Sequence, residues 1–153
     1  MVKIENNKKV KNYLMAVGRR REAVARVRLY STTLTKVQVG EKELKKGDIL
    51  VNDKPINKYF SFLGYANRYN SIFEETGTAG KLIISIKVAG GGQSGQLDAA
   101  IHGIARVLDK LDSEKYHKLL REKGYLTRDP RTRERRKVGM GGKARRKKQS
   151  PKR

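Results

Sequence analysis

The first regular pattern in the chain is an alternation of apolar and polar positions between residues 15 and 29. The apolar residues on one parity are Met15, Val17, Ala23, Ala25, Val27 and Leu29. A period of two with β-branched residues predicts one long strand, or two strands joined by a bend at Gly18. Arg26 and Arg28 have the other parity and are therefore expected on the opposite face.

Three further stretches have the character of strands. Residues 35–39 and 48–52 are short, and they lie beside turn residues Gly40 and Gly47. Residues 82–88 alternate more regularly and predict the clearest strand.

Helical spacing follows in three places. Apolar residues between 56 and 73 recur at steps of three and four, which predicts a helix, with a possible break at Gly64. The apolar residues within 96–111 line one face of a predicted helix, and Ser94 is its expected N-cap. A shorter helix is predicted over 113–123, ending at Gly124. Few helices and several strands, without internal repeats, indicate an α+β fold.

Charge changes this picture from a generic domain to a binding protein. The 153 residues include 37 Lys or Arg and 15 Asp or Glu, for a net charge of +22. An anionic polymer is the expected partner, and nucleic acid fits better than a membrane because no segment has the apolar length of a spanning helix. The chain contains no cysteine, which excludes disulfides and thiolate metal sites.

Half of the net charge lies in the last 26 residues. Residues 128–153 contain thirteen Lys or Arg and two acids, a net charge of +11, with almost no large apolar residues. Such a segment cannot bury a core and is expected to be extended along an anionic partner. We therefore divide the chain into an N-terminal extension (1–13), a globular domain (14–127) and an extended basic tail (128–153).

The glycines at 90, 92 and 95 match the G-x-G-x-x-G spacing of a dinucleotide-binding loop. That function also needs a second parallel strand ending in an acid, and the sequence after the helix has neither. A small nucleotide-dependent enzyme is thus the weaker hypothesis. Two interpretations of the loop stay open. The loop binds an RNA phosphate through the backbone N–H groups of Gly91, Gly92, Gln93 and Ser94, or it is a strand-to-helix turn without a ligand.

Catalysis and metal binding have little support in the sequence. His102 and His117 are the only histidines, and neither has carboxylates at ligand spacing. Asp129 and Glu134 lie among arginines, where ion pairing is expected. We predict no enzyme activity, no metal, no cofactor and no small-molecule substrate.

The arginines within the first strand pattern, between residues 19 and 28, are the other candidate site. Arg19, Arg20 and Arg21 follow Gly18, and Arg26 and Arg28 share one strand face. Such a cluster is usually a solvated surface, but a net charge of +22 favours RNA binding through phosphates. A free nucleic-acid chaperone or DNA-packaging protein is an alternative from another class.

Several stretches together resemble ribosomal protein nine of the small ribosomal subunit, in its bacterial type. They are "AVGRRREAVARVRLY", "GDILVNDKPINKYF", "VAGGGQSGQLDAAIHGIARVL", "GYLTRDPRTRERRKVG" and "KARRKKQSPKR", which extend over residues 16–153. The resemblance implies the ribosomal protein S-five domain-two-like fold, a mixed sheet with helices packed on one side. It also implies a cytoplasmic ribosomal location in the head of the small subunit, beside neighbouring ribosomal proteins. Compared with that family, the segment 31–46 is longer than the usual link to the "GDILVN" strand, and we interpret it as an additional hairpin.

The same resemblance implies roles for residues of the tail. The positions expected to bind ribosomal RNA are Arg128, Arg131, Arg133, Arg135, Arg136, Lys143, Arg145, Arg146, Lys147 and Lys148. The end of the tail is expected to contact transfer RNA in the peptidyl site, through Gln149, Ser150, Lys152 and Arg153.

Overall fold

A five-stranded mixed sheet and a separate two-stranded hairpin form the β-structure in a computed structural model, which describes residues 13–30, 36–39 and 42–135. The strands are β1 (Tyr13–Arg20), β2 (Ala23–Tyr30), β3 (Lys36–Val39), β4 (Lys42–Lys45), β5 (Ile49–Val51), β6 (Lys54–Pro55) and β7 (Ile84–Ala89). The helices are α1 (Ile56–Tyr59), α2 (Leu63–Glu75), α3 (Gln93–Leu111) and α4 (Ser113–Glu122).

The first strand pattern is two antiparallel strands joined at Arg21 and Glu22. Arg20 pairs with Ala23, and Arg21 has a φ of 50°, in the left-handed region. The bend predicted at Gly18 is therefore wrong. Because the turn has two residues, the buried parity changes from even in β1 to odd in β2, which leaves Met15 exposed on the face opposite to Ala25.

The sheet has the order β1-β2-β7-β5-β6, and β5 and β7 form its parallel pair. The connection between these two parallel strands contains α1 and α2, as a parallel crossover requires. One face of the sheet carries Val27, Ile86 and Val51 side by side, and all three are fully buried in the main core. The helices pack on this face, which confirms the α+β class with a mixed sheet covered by helices on one side.

Helix α3 lies directly against the edge strand β1 because two glycines face each other. A Cβ at Gly18 would lie 1.9 Å from the Ala99 carbonyl oxygen and 2.4 Å from the Gly103 nitrogen. A Cβ at Gly103 would lie 2.6 Å from Cγ2 of Val27. Gly18 therefore allows backbone to approach backbone, a role that its position in the strand pattern did not reveal.

The opposite face of the sheet is partly covered by the β3–β4 hairpin. Leu44 of the hairpin is buried in a second cluster with Tyr30, Leu50 and Ile83. This hairpin confirms the interpretation of the 31–46 segment for the residues described there, 36–39 and 42–46. Residues 31–35, 40 and 41 of that segment lie outside the described residues.

Two predicted helix boundaries are wrong. The interruption between the first two helices lies at residues 60–62, and Gly64 belongs to the first turn of α2. Helix α3 begins at Gln93 with Gly92 as N-cap, so Ser94 is inside the helix. The left-handed backbone of Gly90 and Gly91 turns the chain early enough for the helix to begin there. Helix α4 and the left-handed Gly124 after it agree with the prediction.

Candidate RNA interface

The free edge of β1 is covered by polar side chains from one face of α3. Lys110 Nζ donates to the Met15 carbonyl oxygen at 3.0 Å, and Arg106 Nη1 donates to the Val17 carbonyl oxygen at 2.5 Å. The Arg19 N–H donates to Nδ1 of His102 at 3.5 Å. An edge strand exposes unpaired backbone groups that attract other strands, and these three side chains occupy them.

The match between helix and strand has a simple geometric origin. His102, Arg106 and Lys110 are spaced by four residues, and four residues advance a helix by about 6 Å. Alternate residues of a strand advance by roughly 6.6 Å, so the outward-facing backbone groups of β1 repeat at nearly the same interval. Three successive helix residues on one face can therefore each reach one of them.

A cationic cavity lies at this edge, which we call the edge pocket. It has a volume of about 270 Å³ and is lined by Val17, Arg19, His102, Arg106 and Arg128. Burial lowers the pKa of the His102 imidazole, and the positive charges of Arg106 and Arg128 lower it further. Among the residues that the structure describes, no carboxylate forms an ion pair with Arg19, Arg106 or Arg128.

Arg20 lies in a different environment, which we call the Arg20 network. Its guanidinium lies 2.9 Å from Oδ2 of Asp129 and 3.6 Å from Oδ2 of Asp98, and it donates to the Arg131 carbonyl oxygen at 3.2 Å. Arg68 contacts the other oxygen of Asp98 at 2.5 Å. The Arg20 side chain is only 15% exposed. The network joins β1, α2, α3 and the start of the tail.

Asp129 is the carboxylate that holds the tail in this network. Hydrogen bonds from the side chain and backbone of Arg131, and the nearby charge of Arg20, hold the pKa of Asp129 well below its usual range. This agrees with the expectation of ion pairing at Asp129. The carboxylate thus stays charged through the neutral pH range and keeps Arg20 occupied.

The remaining strand arginines lie away from the edge pocket. Arg21 is exposed in the β1–β2 turn, and Arg26 is exposed on the sheet face opposite to α3, paired across strands with Lys87. Arg28 is half-buried on that same face, with its guanidinium carbon 5.2 Å from the centre of the Tyr13 ring. The predicted arginine cluster is thus divided among the edge pocket, the Arg20 network, the β1–β2 turn and the sheet face opposite to α3.

The glycine loop leaves the N-terminus of α3 open to solvent. Gly91, Gly92, Gln93 and Ser94 are all exposed, and no side chain caps the helix.

A chain of hydrogen bonds holds the loop: Asn52 donates to Tyr59, Tyr59 donates to Gln96, and Gln96 donates to the Gly90 carbonyl oxygen. A Cβ at Gly90 would lie 2.4 Å from the Glu22 carbonyl oxygen, so close packing also accounts for this glycine.

The tail enters the described residues only at its beginning. Residues 128–135 have no regular secondary structure, and Arg128, Arg131, Arg133 and Arg135 are exposed. The other predicted tail residues lie outside the described residues: Arg136, Lys143, Arg145, Arg146, Lys147, Lys148, Gln149, Ser150, Lys152 and Arg153. The N-terminal extension is likewise outside them, except for Tyr13.

The sequence interpretation missed His102 and Arg106 as members of the basic surface. Their four-residue spacing, continued by Lys110, was the available signal. A second cavity, of about 780 Å³, lies between the β3–β4 hairpin and α2. Its lining includes three acids, Glu43, Asp48 and Glu74, against one cation, Lys42, which makes it a poor site for a phosphate.

Two kinds of site are not found in the part of the chain that the structure describes. No group of three or more His, Asp or Glu side chains there is arranged to hold a metal ion. Among the same residues, none of the helices has the length and apolar character needed to cross a membrane.

The comparison with protein families decides the identity of the fold. The family model for ribosomal protein S9/S16 matches residues 18–153. The chain belongs to this family. Among similar proteins, the small ribosomal subunit protein uS9 of Dehalococcoides mccartyi is 41% identical over 128 residues, which are 84% of this chain and 86% of the relative. The protein of the same name from Solidesulfovibrio magneticus is 39% identical over 85% of this chain and 89% of the relative. The one from Nostoc is 41% identical over 80% of each chain.

Membership of the S9/S16 family confirms the resemblance found in the sequence. It also confirms the prediction of a structural, non-enzymatic protein. The glycine spacing that suggested a dinucleotide site therefore belongs to the strand-to-helix turn of a ribosomal protein.

Proposed function

We propose that the chain binds ribosomal RNA in the head of the small ribosomal subunit and contacts peptidyl-site transfer RNA with the end of its tail. The family makes it a structural constituent of the small subunit in the cytoplasmic ribosome, associated with ribosomal RNA and other ribosomal proteins. The observation that carries the finer proposal is the anchored start of the cationic tail. Arg20 and Asp129 hold that start on the folded domain, and the tail that begins there, residues 128–153, has a net charge of +11.

The physical mechanism is neutralisation of phosphates. Arginine forks bind phosphate oxygens with charge-assisted hydrogen bonds, and the release of condensed counterions favours association. Contacts of this kind position a protein on RNA without reading its sequence. Arg19, Arg26 and Arg128 are exposed on the folded part of the chain and supply such contacts on two surfaces.

The contact with transfer RNA rests on the residues at the chain end. Lys152 and Arg153 follow a long basic stretch, and Gln149 and Ser150 add hydrogen-bonding groups beside them. A tail anchored at Asp129 leaves 24 residues beyond that point. Extended chain covers about 3.3 Å per residue, so this length allows the end to act far from the folded domain.

The test compares small subunits assembled with the full chain and with a chain lacking Lys152 and Arg153. We expect both chains to sediment stoichiometrically with the subunit, and we expect the shortened chain to weaken transfer RNA binding in the peptidyl site. Failed assembly together with normal transfer RNA affinity would reverse the assignment. The affinity of the full chain for small-subunit ribosomal RNA should fall steeply with salt, and a flat salt dependence would contradict the phosphate mechanism.

A further inference from the structure

The edge pocket has features that set it apart from a solvated charged surface. Three arginines of the described residues, Arg20, Arg68 and Arg131, form ion pairs with carboxylates. Arg19, Arg106 and Arg128 instead converge on one cavity without a carboxylate partner in that part of the chain. Like charges brought together in this way repel one another, and a bound anion removes the repulsion.

The pocket also retains the donors that an anion needs. Arg19 and Arg128 are exposed, and their guanidinium groups donate to no described residue. Arg106 uses one nitrogen for the Val17 carbonyl oxygen, which leaves further N–H donors of the five that a guanidinium has. These side chains come from β1, α3 and the start of the tail, so the pocket exists only in the folded chain.

The charges around His102 come from every neighbouring element. His102 lines the edge pocket and also borders a second cavity, which is lined by residues of α2, of α3 and of the segment 124–127. Asp98 is the carboxylate in that second cavity, and it already contacts both Arg20 and Arg68. The charged groups around the imidazole are Arg19 of β1, Arg68 of α2, Asp98 and Arg106 of α3, and Arg128 of the tail.

From this arrangement we propose that the edge pocket is a phosphate-binding site that takes one phosphodiester of the ribosomal RNA backbone between Arg19, Arg106 and Arg128, beside His102. The inference rests on the proposed function and makes it more specific. It adds His102 and Arg106 to the RNA-binding surface, and it places one phosphate at the junction of the folded domain and the tail.

His102 allows the site to be tested in the unaltered protein. A phosphate beside the imidazole stabilises its charged form, so the pKa of His102 should rise by about one pH unit when the site is filled. His117 is the natural control, because it is the other histidine and contacts Asp109 at 2.8 Å. The measurement is an NMR pH titration of both imidazoles in the full chain, alone, with inorganic phosphate and with a short RNA hairpin.

We expect the RNA hairpin to raise the pKa of His102, while the titration curve of His117 does not change. A rise with inorganic phosphate and none with RNA would identify a small-anion site and overturn the RNA assignment. No rise with either probe would overturn the proposal altogether. Binding of the full chain to small-subunit ribosomal RNA is measured in parallel, so loss of the pocket and failure of the broader function give different results.

Charge-removing variants give an independent measurement. The double variant Arg19→Gln, Arg128→Gln should weaken ribosomal RNA binding about tenfold, as expected for lost charge-assisted hydrogen bonds. It should also reduce the slope of log affinity against log salt by about one, since one phosphate contact is lost. Arg121→Gln on α4 is the control, because this exposed arginine lies outside the edge pocket. An equal loss with Arg121→Gln would contradict a specific site.

Discussion

Adjacent residues of one strand, Arg19 and Arg20, enter two regions with opposite electrostatics. In the Arg20 network each arginine is matched by a carboxylate, and the side chains fasten the start of the tail to the domain. In the edge pocket the cations and an imidazole line one cavity, and no carboxylate is paired to Arg19, Arg106 or Arg128 among the described residues. The comparison shows that net charge alone does not identify a binding surface, because some cations are paired and hold the fold, and only the others can make the RNA contacts that we propose.

The largest expected effect comes from separating β1 from α3, since both regions depend on that contact. Gly18→Ala places a Cβ against the backbone of Ala99 and Gly103. We expect a loss of about 3 kcal/mol or more in the free energy of unfolding, measured by urea denaturation. Both the network and the pocket should be lost with it.

Gly95→Ala is the matched control for that variant. Gly95 lies in α3, the helix against which Gly18 packs, and its added Cβ would meet only Ala23 Cβ at 3.7 Å and the Arg20 carbonyl oxygen at 3.8 Å. Removing a helical glycine should stabilise the chain by about 0.5–1 kcal/mol. Equal destabilisation by the two variants would show that the close approach at Gly18 is not the cause.

A smaller effect distinguishes the two arginines directly. Arg20→Gln leaves Asp98 and Asp129 with one arginine each, and we expect a loss of roughly 1 kcal/mol in the free energy of unfolding. Proteolysis within residues 128–135 should become faster, because the tail start is no longer fastened. Arg19→Gln should change stability by less than about 0.5 kcal/mol.

The affinities should show the reverse order. Arg19→Gln removes a cation from the edge pocket and should reduce ribosomal RNA binding by several-fold, whereas Arg20→Gln acts only through the altered path of the tail. Measuring stability and RNA affinity for both variants provides the contrast. The distinction between the two regions is lost if both variants change both quantities equally.

The smallest effect is a pH dependence of stability. The pKa of His102 is lowered in the folded chain, so between that value and its unfolded value of about 6.5 the unfolded state binds more protons. The contribution of neutral His102 to the free energy of unfolding is therefore fully present above about pH 6.5, and it is lost as the pH falls through this window. The slope should be smaller in His102→Gln, measured by urea denaturation at several pH values.

His117→Gln is the companion variant for the pH series. It removes the other histidine and leaves the edge pocket intact, so the contribution of His102 should persist. Phosphate added to the wild-type chain should reduce the decrease in stability at low pH, because the anion favours protonated His102. A slope that His102→Gln leaves unaltered would show that other groups cause it.

Local patterns predicted much of the architecture. The period-two stretch, the apolar stripe of α3 and the left-handed glycine after α4 each depend on neighbours close in sequence. The errors occurred where a tight turn reset the parity, as at Arg21 and Glu22, or where a glycine served a distant contact, as at Gly18. Such features depend on what the chain meets elsewhere, and sequence spacing does not contain that information.

By itself, the sequence determined the α+β class, the strongly cationic character and the family, because composition, periodicity and extended motifs are properties of the chain. Only the tertiary structure decided which cations are paired. Asp98 and Asp129 reach Arg20 from 78 and 109 residues away, and His102 and Arg106 reach β1 from across the domain. Ion pairing depends on distances of a few ångströms in space, and those distances are set by the packing of α3 on the edge strand.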